Sequence, residues 1–445
     1  MISIQRRLLT SLAVAAVCTG LLVSERLSVP TPLAADTLQA RGELQWYRGN
    51  LHTHSLWSDG DDYPEMIALW YRDHDYDFLC FTDHNVLLRG EKWTSPETNK
   101  GGKVAYDKLK ARFSENWIEE RTEDGKREVR LKTFDEIVRE VAVPGEFLLI
   151  QGEEISDRYG KRPIHMNVSN VQEAIPPMHG DSVYETMQNN VNAAVAQRER
   201  TGQPMLIHLN HPNFGYGVTA EDLMRVRGEN FFEVYNGHPG VNNSGNAEHA
   251  STERIWDIIL TRRITELDLP LMYGLATDDG HNYHQIPSRK SEPGRGWIMV
   301  LAEELAPAAL IEAIERGRFY ASSGVTLERV VSNDRGLDVE VKPDRGETYT
   351  IEFIGTRRGY DPASEPVLDK NGKPLEATRR YSDDIGRVLK TVEGTKASYE
   401  FTPNDLYVRA RVTSSRKHPN PSEIGEFERA WVQPVLGPAG RQVDE

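Results

Sequence analysis

His52-Thr53-His54 sets two imidazoles two residues apart, so at the end of an extended strand both rings face one side and both can reach one cation. Zinc, iron and manganese accept imidazole together with carboxylate, so such a pair calls for Asp or Glu partners nearby in space. Asp59, in Ser58-Asp59-Gly60, comes from the same loop. Thr82-Asp83-His84-Asn85 and Asp279-Gly280-His281 each place an acid beside an imidazole, and Gly280 permits a tight turn that aims both heads at one place. Gly152-Glu153-Glu154 offers a carboxylate able to bridge two ions, and His208-Leu209-Asn210-His211-Pro212 offers another imidazole. Taken singly, each piece is as readily a surface turn or a packed core histidine. Together they gather acids and histidines in a way that structural histidines have no reason to follow.

The elements that must position these residues follow from periodicity. From Trp46 to about Ser322 short apolar runs alternate with longer stretches of helical period, the pattern of β/α architecture. The spacing predicts strands over 47–52, 78–82, 147–151, 165–170, 205–209, 231–235 and 271–276. Pro64-Glu65 starts a helix, with Met66, Leu69 and Trp70 on one face. Seven strands of this kind predict a barrel or a barrel-like sheet, where chemistry gathers at the C-terminal strand ends. His52, His54, His84, Glu154, His211, Asp279 and His281 fall at or just after such ends, whereas His165 opens its strand. The charged stretch 86–130 interrupts the alternation and is either a surface insertion or a lid beside the site.

After Gly324 the period changes to strict alternation, as in Asp338-Val339-Glu340-Val341-Lys342 and Tyr407-Val408-Arg409-Ala410-Arg411-Val412. This predicts a small β-sandwich-like domain over 325–445 behind a catalytic domain over 46–324. A chain of 445 residues exceeds the size at which a single core stops growing, which agrees with two domains.

The formal net charge of -15 makes a surface that repels nucleic acid and anionic lipid, so neither is an expected partner. Arg6 and Arg7 precede an apolar run from Leu8 to Val23, with small residues at Ala34 and Ala35, and we read residues 1–35 as a signal peptide for export to the periplasm or outside the cell. No second apolar run is long enough to span a bilayer, so no stable membrane insertion is expected once the signal is removed. Of the two cysteines, Cys18 lies inside that run, and Cys80 between Leu79 and Phe81 reads as a small buried side chain.

The signatures HxH, Asp59, DH, G-x-E, His, HP and DxH occur in the order that characterises the polymerase and histidinol phosphatase (PHP) family of metallohydrolases, which the chain resembles over roughly residues 46–300. The resemblance implies a distorted seven-stranded β/α barrel holding two or three divalent ions. It also implies a first ion on His52, His54, Glu154 and Asp279, a second on Glu154, His165 and His211, and a third on Asp59, His84 and His281. Some three-metal members carry His where this chain has Asp59. Glu154 fits the G-x-E spacing better than Glu153, and His211 fits HP better than His208, to which we assign packing or support of a ligand. The stretches 49–54, 57–60 and 317–324 are similar to the carbaryl-hydrolase-like branch of that family.

Such a centre would hydrolyse a small-molecule ester by a hydroxide shared between zinc, manganese or iron ions. Asp279 would ligate an ion and orient the attacking water, and Arg295, in Pro293-Gly294-Arg295-Gly296-Trp297, would hold an anionic group of the substrate. Asn236, Tyr283 and Tyr216 are further pocket candidates. The resemblance favours a phosphomonoester or phosphodiester, and its closer branch suggests a carbamate or carboxylic ester. The competing class is a secreted metal- or ligand-binding protein without catalysis.

Overall fold

The computed structural model describes residues 44–441, so the expected signal peptide and Cys18 lie outside the described residues. Among the described residues no helix is long and apolar enough to cross a membrane.

The chain runs β1 (Gln45–Asn50), α1 (Pro64–Arg72) and β2 (Phe78–Phe81), then an insertion of β3 (Trp93–Thr94), α2 (Gly102–Arg112), β4 (Glu120–Glu123) and β5 (Lys126–Arg130). It continues with α3 (Phe134–Val141), β6 (Leu148–Tyr159), β7 (Arg162–Ser169), α4 (Val183–Thr201), β8 (Leu206–Leu209), α5 (Ala220–Leu223), β9 (Phe231–Asn236), α6 (Thr252–Arg262) and β10 (Tyr273–Thr277). There follow β11 (Trp297–Ala302), α7 (Pro307–Glu315) and β12 (Phe319–Ser322). The remainder is β13 (Leu327–Asn333), β14 (Gly336–Val341), β15 (Tyr349–Arg357), β16 (Ser364–Glu365), β17 (Arg380–Tyr381), β18 (Arg387–Glu393), β19 (Lys396–Glu400), β20 (Asp405–Lys417) and β21 (Phe427–Leu436).

Each of the seven expected strands has a counterpart, but they do not close into a barrel. They lie in an open 13-stranded sheet of order β10-β9-β8-β7-β6-β2-β1-β11-β12-β21-β20-β15-β18. Two features keep it open. The edge of β1 that a closing strand would use is paired antiparallel with β11, from Gln45↔Ala302 to Gly49↔Ile298. At the other end, the Gln433 side-chain amide accepts from Gly274 N at 2.9 Å and donates to Gly274 O at 2.8 Å, capping ladder groups of β10. The sheet nevertheless curls, since a lone bridge Thr53↔Gly280 and the bond His54 N to Gly280 O (2.9 Å) join the chain just past β1 to the chain just past β10.

Strands around the curl contribute Tyr47, Phe78, Cys80, Ile150, Leu206, Phe231, Leu275 and Ile298 to one apolar cluster, which α7 completes with Leu310, Ile311 and Ile314. A second cluster packs α4 and α6 on the sheet, and a third packs α1, α2 and α3. In α1 the buried residues are Pro64, Glu65, Ile67, Ala68, Leu69 and Tyr71, with Met66 and Trp70 half-buried. Past Gly324 the strands are antiparallel, as alternation demands: β15, β18, β20 and β21 extend the large sheet, while β13, β14 and β19 form a separate one. Val339, Val341, Tyr349, Ile351, Phe353, Val408 and Val412 share the apolar layer of that region. Arg409 of β20 donates to both carboxylate oxygens of Asp257 in α6, at 2.8 and 2.7 Å, tying the C-terminal strands to a helix of the metal-ligand region.

Candidate metal centre

Strand direction decides which residues meet. β1, β2 and β6 are mutually parallel, as are β8, β9 and β10, so the C-terminal ends of these six strands share one rim. Of the seven expected strands, β7 runs against the other six, in a hairpin with β6 whose register sets Ser156 opposite His165. A residue near the start of an antiparallel strand reaches the same rim as the ends of its neighbours, which is why His165 joins the others. Side chains alternate along β6, so Glu154 faces the rim cluster while the Glu153 carboxylate turns away and accepts from Ile175 N at 2.6 Å.

The nine residues singled out as ligands converge. Ligand atoms of His54, Asp59, His84 and His281 lie within 4.8 Å of one another, as do those of His52, His54 and Glu154, of His52, His211 and Asp279, and of His84, Glu154 and His165. These groups overlap more than the three sets implied by the resemblance, in which Glu154 alone was shared: here His52, His54 and His84 each fall in two groups as well. Glu154 is the hub. Its Oε1 lies 3.4 Å from His52 Nε2, 3.0 Å from His165 Nδ1 and 3.6 Å from His211 Nε2, and its Oε2 lies 3.4 Å from His54 Nε2 and 2.6 Å from His84 Nδ1. Asp279 Oδ1 stands 3.3 Å from His52 Nε2, 3.2 Å from His54 Nε2 and 3.5 Å from His281 Nδ1. Asp59 Oδ1 stands 3.4 Å from His84 Nε2 and 3.1 Å from His281 Nε2.

Divalent cations fit these residues. His54 is fully buried, yet neither ring nitrogen makes a hydrogen bond, and His52 Nε2, Asp59 Oδ1 and Glu154 Oε2 are likewise buried without one. A buried polar atom left unpaired costs about 1–3 kcal/mol, so a protein would not gather five of them without a partner for their lone pairs. Protons cannot serve all the rings. Burial, then the neighbouring His281 and His84, pulls His54 down to about 3. Burial also disfavours charge on His84, but Glu154 and Asp59 outweigh it and push that ring up to about 11. His52 is held well above its usual range, where Asp279, Glu233 and Glu154 overcome burial. The Glu154 and Asp279 carboxylates, despite burial, are held well below theirs by surrounding imidazoles. Imidazole and carboxylate donors without thiolate suit zinc, manganese or iron.

Backbone conformation supports the arrangement at Asp279, whose φ of +50° lies in the left-handed region that aspartate tolerates better than most residues. The adjacent Gly280 has no room for a side chain, since a Cβ would stand 2.8 Å from the Tyr283 hydroxyl.

Two groups that sequence reasoning missed complete the site. Glu233 of β9 accepts from His52 Nδ1 (2.7 Å) and the Thr277 hydroxyl (2.7 Å) on Oε1, and from His211 N and Asn236 Nδ2 (both 2.8 Å) on Oε2. It thereby fixes the His52 proton on Nδ1 and leaves Nε2 free to face Glu154 and Asp279. The signal for it was present: an acid within Phe231-Phe232-Glu233-Val234-Tyr235 is a carboxylate inside a buried strand, which must have partners. His238 follows the C-terminal end of the same strand, the position that flags the other ligands. It lines a cavity of about 430 Å³ with Asp59, His84, Glu154, His165, His211, Asp279 and His281, and with Lys100, Phe214 and Lys290.

Arg295 is not a substrate contact. It is fully buried, and its guanidinium donates to Gly237 O (2.8 Å), Glu292 Oε2 (2.9 Å), and Asn420 O and Oδ1 (3.1 and 3.0 Å). Its donors hold loops together behind the cavity. Asn236, Tyr283 and Tyr216 also stay out of the lining: Asn236 donates to Glu233 and Asp279, Tyr283 to Gly280 O, and Tyr216 accepts from Asn242 and Asn246. His208 is fully buried with Nε2 3.6 Å from Glu233 Oε1, a supporting place beside the centre. The insertion reaches the site through Lys100, whose Nζ is 3.1 Å from Asp59 Oδ2.

No protein-family model matches the sequence, and no curated protein matches it. Among solved structures, the chain is similar to a two-domain protein from Bacteroides vulgatus containing a predicted PHP-like metal-dependent phosphoesterase, at 15% identity over 88% of this chain and 97% of that one, with a TM-score of 0.40. It is also similar to PsfC from Pseudomonas syringae (14% identity, 61% and 88% covered, TM-score 0.30) and to an amidohydrolase from Chromobacterium violaceum (12% identity, 53% and 87% covered, TM-score 0.27). At such scores the likenesses describe other proteins, and the reading of this chain rests on its own residues.

Proposed function

We propose that the chain is an exported metal-dependent hydrolase of phosphate esters. One observation carries the reading: six imidazoles and three carboxylates converge in overlapping groups, and His52 Nε2, both His54 ring nitrogens, Asp59 Oδ1 and Glu154 Oε2 are buried there without a hydrogen-bond partner. His52, His54, Asp59, His84, Glu154, His165, His211, Asp279 and His281 would hold two or three divalent ions, with Glu154 placed to be shared. Bound ions of this kind lower the pKa of water from ~15.7 toward ~7 and polarise a substrate oxygen.

The chain's own residues supply the rest. Asp279 presents Oδ1 toward His52 and His54 and Oδ2 toward Asn236 Nδ2 at 3.2 Å, so it can both ligate and orient an attacking water. The buried walls around His52 and Glu154 keep bulk water from solvating these charges and so strengthen their action. Lys100 and Lys290 are the two cations in the lining, and Lys290 has no ion-pair partner among the described residues. Lys100 is paired with Asp59, so Lys290 is the ammonium left to attract an anionic phosphate ester, which it favours over a neutral carbamate. Of the three stretches similar to the carbaryl-hydrolase-like branch, 317–324 carries β12 and contributes nothing to the cavity lining, while 49–54 and 57–60 supply ligand residues that either reaction would use.

The test is elemental analysis of the purified chain together with manganese- and zinc-loaded assays on an aryl phosphate, a bis-aryl phosphate and an aryl carbamate. Turnover of a phosphorus substrate with two or three metal equivalents bound is expected. Metal binding with turnover of the carbamate alone would overturn the phosphoesterase reading, and a chain that binds no metal would overturn the hydrolase reading altogether.

A further inference from the structure

His238 lines the cavity yet belongs to none of the ligand clusters. Its ring is held in one protonation pattern by the backbone: Gly240 N–H donates to His238 Nδ1 at 2.9 Å. A Cβ at residue 240 would stand 2.9 Å from His238 Cε1 and Nδ1, so glycine is what lets the backbone come this close. Because Nδ1 must offer a lone pair to that N–H, the ring proton sits on Nε2. Among the described residues Nε2 has no partner, so the donor is available to whatever enters.

The position of the ring is as constrained as its tautomer. His238 N donates to Asn236 Oδ1 at 2.8 Å, and Asn236 Nδ2 in turn donates to Glu233 Oε2 at 2.8 Å and Asp279 Oδ2 at 3.2 Å. Gly237, the residue before it, is pinned on both faces, donating to Thr277 O and accepting from Arg295 Nη1, each at 2.8 Å. Phe214 meets the ring edge-on with centroids 5.9 Å apart. A short chain of hydrogen bonds thus sets the imidazole relative to the carboxylates that would carry the ions.

The geometry points to His238 as a substrate-binding residue, its Nε2–H donating to a phosphoryl oxygen of an anionic ester seated between the ligand cluster and Lys290. This rests on the phosphoesterase reading and adds the group that would orient the phosphoryl oxygens. The donor role is as a neutral imidazole, so it needs no proton transfer.

Inorganic phosphate is the probe. Its dissociation constant is measured by titration calorimetry on the manganese-loaded full chain, for the wild type, His238→Phe and His238→Gln, with manganese per chain determined on the same samples. Phe keeps the apolar bulk and removes the donor, whereas the Gln amide nitrogen falls near the place of Nε2. Phosphate binding about 10- to 100-fold weaker in the Phe variant, restored in large part by Gln at unchanged manganese content, is expected. Equal affinity in all three proteins, equal weakness in both variants, or a manganese-loaded wild type that binds no phosphate would overturn the inference. A wild type that takes up neither manganese nor, on the same loading, zinc or iron would overturn the hydrolase reading, and this inference with it.

Discussion

Glu233 accepts four hydrogen bonds and makes none as a donor, and that asymmetry explains why a carboxylate stands there. Burial alone would raise its pKa, but His52 and His208 overcome this and hold it well below the usual carboxylate range. Glutamine has the same shape, but its NH2 would face either His211 N–H and Asn236 Nδ2, which can only donate, or His52 Nδ1, whose ring would then carry its proton on Nε2, the nitrogen turned toward Glu154 and Asp279. Glu233→Gln is therefore expected to weaken manganese binding by about 10- to 100-fold, read by calorimetric titration, while circular dichroism stays unchanged. Affinity equal to the wild type would show that His52 is oriented by something else. The same scale explains Arg295: in the sequence it is a lone arginine after the last ligand loop, and the buried Glu292 carboxylate with the carbonyls of Gly237 and Asn420 reveals that its charge is committed.

At the scale of elements, the loop between β1 and α1 delivers Asp59, and its tightness depends on Gly60. Gly60 N donates to Ser55 O at 2.9 Å, and a Cβ at this position would stand 2.3 Å from His54 O, a contact with backbone that no rotamer relieves. Gly60→Ala must therefore displace the loop and draw Asp59 away from His84 and His281. The expected result is a loss of about 1–3 kcal/mol in denaturant unfolding, together with one weaker metal equivalent under mild chelation. A variant with wild-type stability and metal content would mean that the loop has slack the distances deny. The β6–β7 hairpin is the other element on which the site depends, because it alone turns a residue near the start of a strand toward the rim.

Across the whole molecule, the C-terminal strands reach back to the centre through the loop that carries His418 and Asn420. Asn420 anchors Arg295, and Asn420 N donates to His418 Nδ1 at 3.1 Å. Burial, reinforced by the Arg295 charge, pulls His418 down from 6.5 to about 4. The unfolded chain therefore takes up a proton below about pH 6.5 that the folded chain refuses until about pH 4. This contribution to stability is whole above that window and falls as pH drops through it, by at most about 3 kcal/mol. His418→Asn keeps an acceptor for Asn420 N without titrating, so the difference in urea midpoint between wild type and variant should change from pH 7.5 to pH 4.5. A constant difference would place the acid sensitivity elsewhere.

The sequence by itself determined which residue types gather and where the strands lie, because metal ligands and apolar periods are local patterns that one chain displays along its length. His52, His54, His84, His211, Asp279 and His281 were legible as strand-end residues and the seven strands as apolar runs, whereas Glu154, expected just past a strand end, lies midway along β6 because that strand runs on into the hairpin with β7. It left β11 and β12 unseen among loops, and with them the reason the barrel stays open. Closure, the commitment of Arg295, and the roles of Glu233 and His238 were decided by tertiary structure. Each depends on which backbone edge or donor is already satisfied by a residue distant in the chain, and local spacing carries no record of that.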